Sequence, residues 1–130
     1  MPIKSTISDG IIYTEISGEI NYDLVVKQID FILSLKDKLV NRYELHDHTD
    51  TNLINISSDD IQKMAVASKT TRDIFKHSFL AVYAPTDYTF GIARMFMTFF
   101  ELSEHTINVK IFRNKEEAIQ FLKDCKHRYG

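Results

Sequence analysis

The sequence predicts an α/β fold: one domain with a five-stranded mixed sheet, opening as an antiparallel hairpin and continuing parallel, and four helices mainly on one face. Three observations carry that expectation. Two short apolar alternations, Ile3 to Ile7 and Ile11 to Ser17, flank Ser8-Asp9-Gly10, and Asp-Gly favours the positive φ angles of a tight hairpin. Strand-like and helix-like segments then follow in the order β-β-α-β-α-β-α-β-α, which calls for parallel strands joined by right-handed crossovers. Finally, Glu44, His46 and His48 share one face of their strand, as do Asn108 and Lys110 of another, whereas a doubly wound sheet is apolar on both sides. A β-α superhelix whose crossovers all turn the same way leaves one face open; a sheet with a topological switch point does not.

After Gly18, Asn21 is suited to cap a first helix carried by Leu24, Val25, Ile29, Ile32 and Leu33 and ending near Leu39. Tyr43 to His48 reads as a strand, and Thr49 to Ile56 as a polar loop without hydrophobic period. Ser57-Ser58-Asp59-Asp60 opens a second helix on Ile61, Met64, Ala65, Ser68 and Phe75, with two acids in its positive first turn. Phe79 to Ala84 is an apolar run stopped by Pro85, fit for a central strand, and Asp87 is placed to cap a third helix through about His105. Ile107, Val109 and Ile111 alternate with Asn108 and Lys110 as a fifth strand. Asn114 with Glu117 resembles a capping box for a last helix on Ala118, Ile119, Leu122 and Cys125.

Size and composition narrow the function. The 130 residues suit a single domain, and 44% hydrophobic with 26% charged residues is a globular composition. Sixteen basic against eighteen acidic residues give a net charge of -2, which lacks the basic field that nucleic-acid binding requires. Cys125 is the only cysteine, so no internal disulfide forms, and no apolar run reaches the length of a membrane span; a cytoplasmic protein is expected.

Several segments together carry a family resemblance. Gly18-Glu19-Ile20 before the first helix, a strand ending at Asp47, Ser57-Ser58 opening the next helix, the run Phe90-Gly91-Ile92-Ala93-Arg94-Met95-Phe96, and Phe112-Arg113 with Glu117-Ala118-Ile119 and Phe121-Leu122 resemble the SpoIIAA-like branch of the STAS domains. The resemblance runs over nearly the whole chain and implies a SpoIIAA-like β-α superhelix. It implies a non-enzymatic regulatory or protein-interaction module, needing no cofactor. In the anti-sigma-factor antagonists of that family a serine at the start of the second helix is phosphorylated. Ser57 or Ser58 occupies the matching position, although Asp59 and Asp60 replace the glycine that shortly follows Asp-Ser in the antagonists. Two carboxylates would repel a phosphate there, and Ser57 as a plain helix cap explains the same residues.

Other groups suggest chemistry. His46 and His48 lie about 7 Å apart in Cα on one side of a strand with Glu44 in line, a set that suits zinc or iron. Three ligands on one straight strand converge badly, so no metal is expected and the histidines are read as partly exposed on an open sheet face. His77, His105 and His127 stand at element ends, which places them at the surface, and Cys125 falls on a core stripe as small packing. Asp47, Thr49 and Asp50 follow the third strand at its C-terminal end, where ligands or a partner's basic side chain bind in parallel sheets, and where turn formation also favours them. A receiver domain lacks its paired acids and its lysine here, and the chain has neither a Gly-rich phosphate loop nor a Gly-x-Ser-x-Gly elbow.

The third helix is the most unusual element. Around Phe96, the residues Ile92, Ala93, Phe99 and Phe100 fall within about 60°, while Met95, Leu102, Met97 and Phe90 extend the apolar arc to about 240°. Either neighbouring helices sandwich it, or the excess contacts a second chain or an apolar ligand. A homodimer through Phe90, Met95, Met97 and Leu102, with Arg94 at the rim, is one expectation. A lipid-like molecule held between this helix and the sheet by Phe90, Phe96, Met97 and Phe100 is the alternative to a protein-binding role.

Overall fold

The computed structural model describes residues 3–52 and 56–130; residues 53–55 of the expected polar loop lie outside them. The elements run β1 (Ile3–Ser8), β2 (Ile11–Glu19), α1 (Tyr22–Ser34), β3 (Arg42–Asn52), α2 (Ser58–Ser68), β4 (Ser78–Tyr83), α3 (Asp87–Leu102), β5 (Asn108–Phe112) and α4 (Lys115–Tyr129). The strands lie side by side in chain order, β1 antiparallel to β2 and the rest parallel. Asp9 and Gly10 both take positive φ, 53° and 75°, as the two-residue hairpin requires.

Sequential parallel strands fix where the helices go. Three right-handed crossovers, each stepping one strand in the same direction, put α1, α2 and α3 on one face. The last helix, α4, crosses to no further strand and folds back on the opposite face. There Ala118, Leu122 and Cys125 pack on Ile11, Tyr43, Leu45, Phe79 and Ala81. Opposite them, Leu80, Val82 and Ala84 meet Ala93 of α3, and Ile12 meets Ile32 and Leu35 near the end of α1.

The polar strand faces therefore require a correction. Glu44, His46 and His48 do not face solvent: Glu44 pairs in register with Ile12 and Leu80, which puts all three under α1–α3. Asn108 and Lys110 pair with Phe79 and Ala81, on the α4 side. Alternation shows which residues share a face, and gives no sign of which face a helix covers.

Element ends differ from expectation for local reasons. The α1 helix stops at Ser34, whose hydroxyl donates to the Phe31 carbonyl at 2.5 Å and competes with the helical ladder. Strand β3 continues through Thr49–Asn52, where a loop was expected, because β2 also runs on and pairs Ser17, Gly18 and Glu19 with Asp50, Thr51 and Asn52 after a one-residue bulge. Helix α2 gives way at Ser68 to a single 3-10 turn, Lys69–Thr71, leaving Phe75 buried but outside the helix. The cap of α3 is Thr86 rather than Asp87, in a reciprocal capping box with Thr89. That helix closes at Leu102 with Glu104 in the left-handed region (φ 60°), His105 N–H donating to Phe100 O and Glu104 N–H to Glu101 O, a Schellman ending.

Candidate functional site

Under α1 and α3 the central strand β3 is polar where its neighbours are apolar. Glu44 is fully buried. Arg42 donates to its Oε1 through Nε at 2.9 Å and Nη2 at 2.6 Å, while Thr14 Oγ1 (2.9 Å) and Gln28 Nε2 (2.8 Å) donate to Oε2. The Ser5 hydroxyl lies 2.9 Å from Thr14 Oγ1 and extends the network to β1. Burial by itself raises a carboxyl pKa, but the Arg42 guanidinium, reinforced by His46, outweighs it and holds Glu44 well below the usual carboxylate range.

His46 and His48 continue the strip. Nε2 of His46 is buried 3.0 Å from Glu44 Oε2, close enough for an ion pair when the ring is protonated, although no hydrogen bond of good geometry joins them. His48 Nδ1 is 3.2 Å from Thr51 Oγ1, which itself donates to Ile16 O just across the bulge. Burial first, then the neighbouring His46, pulls the His48 pKa down to about 3, so its imidazole is neutral at physiological pH.

Above this strip lies a cavity of about 120 Å³ between the sheet and α1 and α3. Ile29 and Ile32 of α1, Ile92, Phe96 and Phe100 of α3, and Leu80 and Val82 of β4 supply apolar walls; Arg42, His46 and His48 face it from β3. At its lower end His105 is not a surface residue: Nε2 meets Ser68 O at 2.8 Å and Thr71 Oγ1 at 3.1 Å, and Nδ1 accepts from Ile107 N–H. A groove along α3 and β5, lined by Met97 and Glu101, shares Phe100, His105, Ile107 and Val109 with the cavity wall. Of the four side chains expected to hold an apolar ligand, Phe96 and Phe100 line the cavity; Met97 lines the groove, and Phe90 packs with the α3–β5 core under the Arg113 guanidinium, 4.7 Å from its ring.

The remaining candidates lie elsewhere. Asp47 is on the α4 face, away from the cavity. It accepts from Thr49 N–H (2.9 Å) and Oγ1 (2.6 Å) and from Lys115 Nζ (2.9 Å), a partner that sequence reasoning missed. Burial raises its pKa, but Lys115 and Thr49 outweigh burial and leave it lowered. Asp50 is exposed and stands apart from them. Ser57 is the α2 cap, its Oγ accepting from Asp60 N–H at 3.1 Å while Asp60 Oδ2 accepts from Ser57 N–H; Ser58 is the first helical residue. On α3, Arg94 is exposed, Met95 and Met97 are half-buried, and Leu102 is 73% exposed. Cys125 is buried in the α4 core, where burial pushes its thiol pKa up. Among the described residues no three His, Cys, Asp or Glu side chains are arranged to hold a metal ion, and no helix is long and apolar enough to cross a membrane.

Thr14 of β2, which donates to Glu44, is not singled out by the sequence, and neither are Arg42 and Gln28. The last two left a trace: Arg42 extends the period-two row of Glu44, His46 and His48 by one step, and Gln28 interrupts the apolar stripe of α1.

No family model and no curated protein matches the chain. A crystal structure of an uncharacterized protein of the DUF3478 family with a SpoIIAA-like fold, from Shewanella loihica PV-4, is similar to it. The two are 16% identical, the match covers 92% of this chain and 91% of that one, and the TM-score is 0.55. That likeness shows the fold: a SpoIIAA-like α/β domain, in agreement with the sequence resemblance.

Proposed function

We propose that this SpoIIAA-like domain is a non-enzymatic module that binds a small apolar molecule between α3 and the sheet. The cavity carries the reading: apolar walls from α1, α3 and β4 surround a volume close to the ~150 Å³ of an engineered cavity that stays dry and binds benzene. The polar groups beneath it favour binding over catalysis, since Glu44 has both oxygens committed to Arg42, Thr14 and Gln28. Native mass spectrometry of the purified protein tests this. A small co-purifying mass that Ala93→Phe removes is expected, because Ala93 lines the cavity; its absence from repeated wild-type preparations, together with no uptake of added apolar compounds, overturns the reading.

A second reading, a partner contact through α3, draws on the family resemblance and on one observation. Tyr88, Met95 and Leu102, seven residues apart, form a row along one flank of α3; Tyr88 is 50% and Leu102 73% exposed. With Phe90 covered by Arg113 and Met97 in the β5 groove, this row is the apolar surface left for a homodimer, and Arg94 borders it. An isologous contact buries both copies of the row at once. Sedimentation decides it: a dimer at tens of micromolar that Met95→Glu dissociates is expected, and a monomeric wild type sinks it.

A further inference from the structure

Taking the cavity as the binding site proposed above, we infer that its occupant is a carbonyl compound of about one ring, and that the carbonyl oxygen accepts from the Arg42 guanidinium. The volume of about 120 Å³ sets the size. The head group follows from the donor protons that the polar side chains of the wall leave unspent. The Gln28 amide gives its two to Glu44 and Thr14. The hydroxyls of Ser68, Thr71 and Thr89 donate to the carbonyls of Met64, Ser68 and Thr86. His105 accepts from Ile107 N–H at Nδ1, so its proton sits on Nε2 and goes to Ser68 O. In His48 the tautomer is set by Thr51, whose one proton goes to Ile16 O. Thr51 therefore accepts from His48 Nδ1, and the neutral ring keeps only an acceptor at Nε2.

Arg42 has donors to spare. A guanidinium carries five N–H groups in one plane, no acceptor, and a permanent charge. Nε and Nη2 each give one to Glu44 Oε1, at 2.9 and 2.6 Å. The other three make no hydrogen bond among the described residues, although the residue is only 6% exposed. Planarity turns the edge formed by Nη1 and the second Nη2 proton away from Glu44, and it is Arg42, not Glu44, that borders the cavity. These donors are present whatever proton His46 carries beside Glu44. Buried donors left unmatched cost free energy that an acceptor recovers. A carbonyl oxygen brings two lone pairs and no donor of its own, and, being uncharged, it leaves the balance between Arg42 and Glu44 as it is.

Cyclohexanone and methylcyclohexane share a ring and differ in this oxygen. Calorimetric titration compares them on the intact wild type and on the double variant Arg42→Met with Glu44→Leu, which removes the donor together with its counter-charge. The ketone is expected to lose at least about tenfold in affinity relative to methylcyclohexane on going from wild type to variant, the worth of one hydrogen bond from a charged donor. An equal change for the two compounds, including no change at all, overturns the inference while the apolar cavity stands, as does a wild type that takes up methylcyclohexane and no ketone. A second readout needs no variant. The infrared carbonyl stretch of cyclohexanone bound to the wild type should lie at or below its frequency in water, where the oxygen is hydrogen-bonded; a rise to its frequency in hexane overturns the contact. Failure of both compounds to bind the wild type overturns the cavity reading itself.

Discussion

Replacing Arg42 by Met probes the most tightly tied group in the structure. Arg42 is 6% exposed and Glu44 0%, so the substitution leaves a carboxylate in the interior without its cation. Breaking one side of a buried pair costs about 3 to 5 kcal/mol. Thr14 and Gln28 still donate to Oε2, which places the expected loss near the lower end, about 3 kcal/mol, within the 5 to 15 kcal/mol typical of a folded domain. The loss should also depend on pH. In the wild type the lowered Glu44 pKa contributes stability that is present above the unfolded value, about 4.3, and is lost as pH falls below it. Without Arg42, burial becomes the governing influence and the pKa rises above the unfolded value, so stability is instead lost as pH rises past about 4.3. The deficit is therefore largest at neutral pH and shrinks on acidification. Urea unfolding at pH 7.5 and pH 5.0 measures both quantities. The double variant Arg42→Met with Glu44→Leu should recover part of the loss, because it removes both charges. A deficit below about 1 kcal/mol at pH 7.5, or one equal at the two pH values, refutes this account of the strip.

Acid should destabilise the wild type through His48 as well. Its folded pKa of about 3 lies below the model-peptide value of about 6.5, so the unfolded chain takes up a proton that the folded one refuses across that window. Stability is complete above pH 6.5 and falls by up to about 1.4 kcal/mol per pH unit below it; His48→Gln should flatten the slope between pH 6.5 and 4.5 by close to one proton, and an unchanged slope contradicts the burial argument. Ser57→Ala should cost about 1 kcal/mol by removing the α2 cap, whereas Ser58→Ala stays within about 0.5 kcal/mol; equal effects would show that the capping box is not what holds this helix start. Because four donor atoms already fill both Glu44 oxygens, excess chelator should leave the melting temperature unchanged, and a drop of several degrees would reveal a structural metal on Glu44, His46 and His48.

Local chemistry was legible in the sequence, and with it the fold. Asp9-Gly10 set the hairpin, Asn21, Ser57 and Asn114 set helix starts, and the alternation of segments with the handedness of crossovers calls for parallel strands after the hairpin; their order along the sheet comes from the family resemblance, since a doubly wound sheet obeys the same rules. Apart from that order, each of these depends on residues within a few positions of one another or on a rule that holds for any such chain. The site was legible only in fragments. Periodicity puts Glu44, His46 and His48 in one row and gives α3 an oversized apolar arc, but it does not say which face of the sheet the helices cover. Only the tertiary structure decided that three helices cover the row, that Arg42 of the same strand, Gln28 of α1 and Thr14 of β2 converge on Glu44, and that Phe96 and Phe100 border a cavity while Met97 does not. The physical reason is that a strand's two faces are equivalent until a helix packs on one of them. Burial, and with it the lowered Glu44 and His48 pKa values, comes from groups distant in sequence that no local spacing specifies.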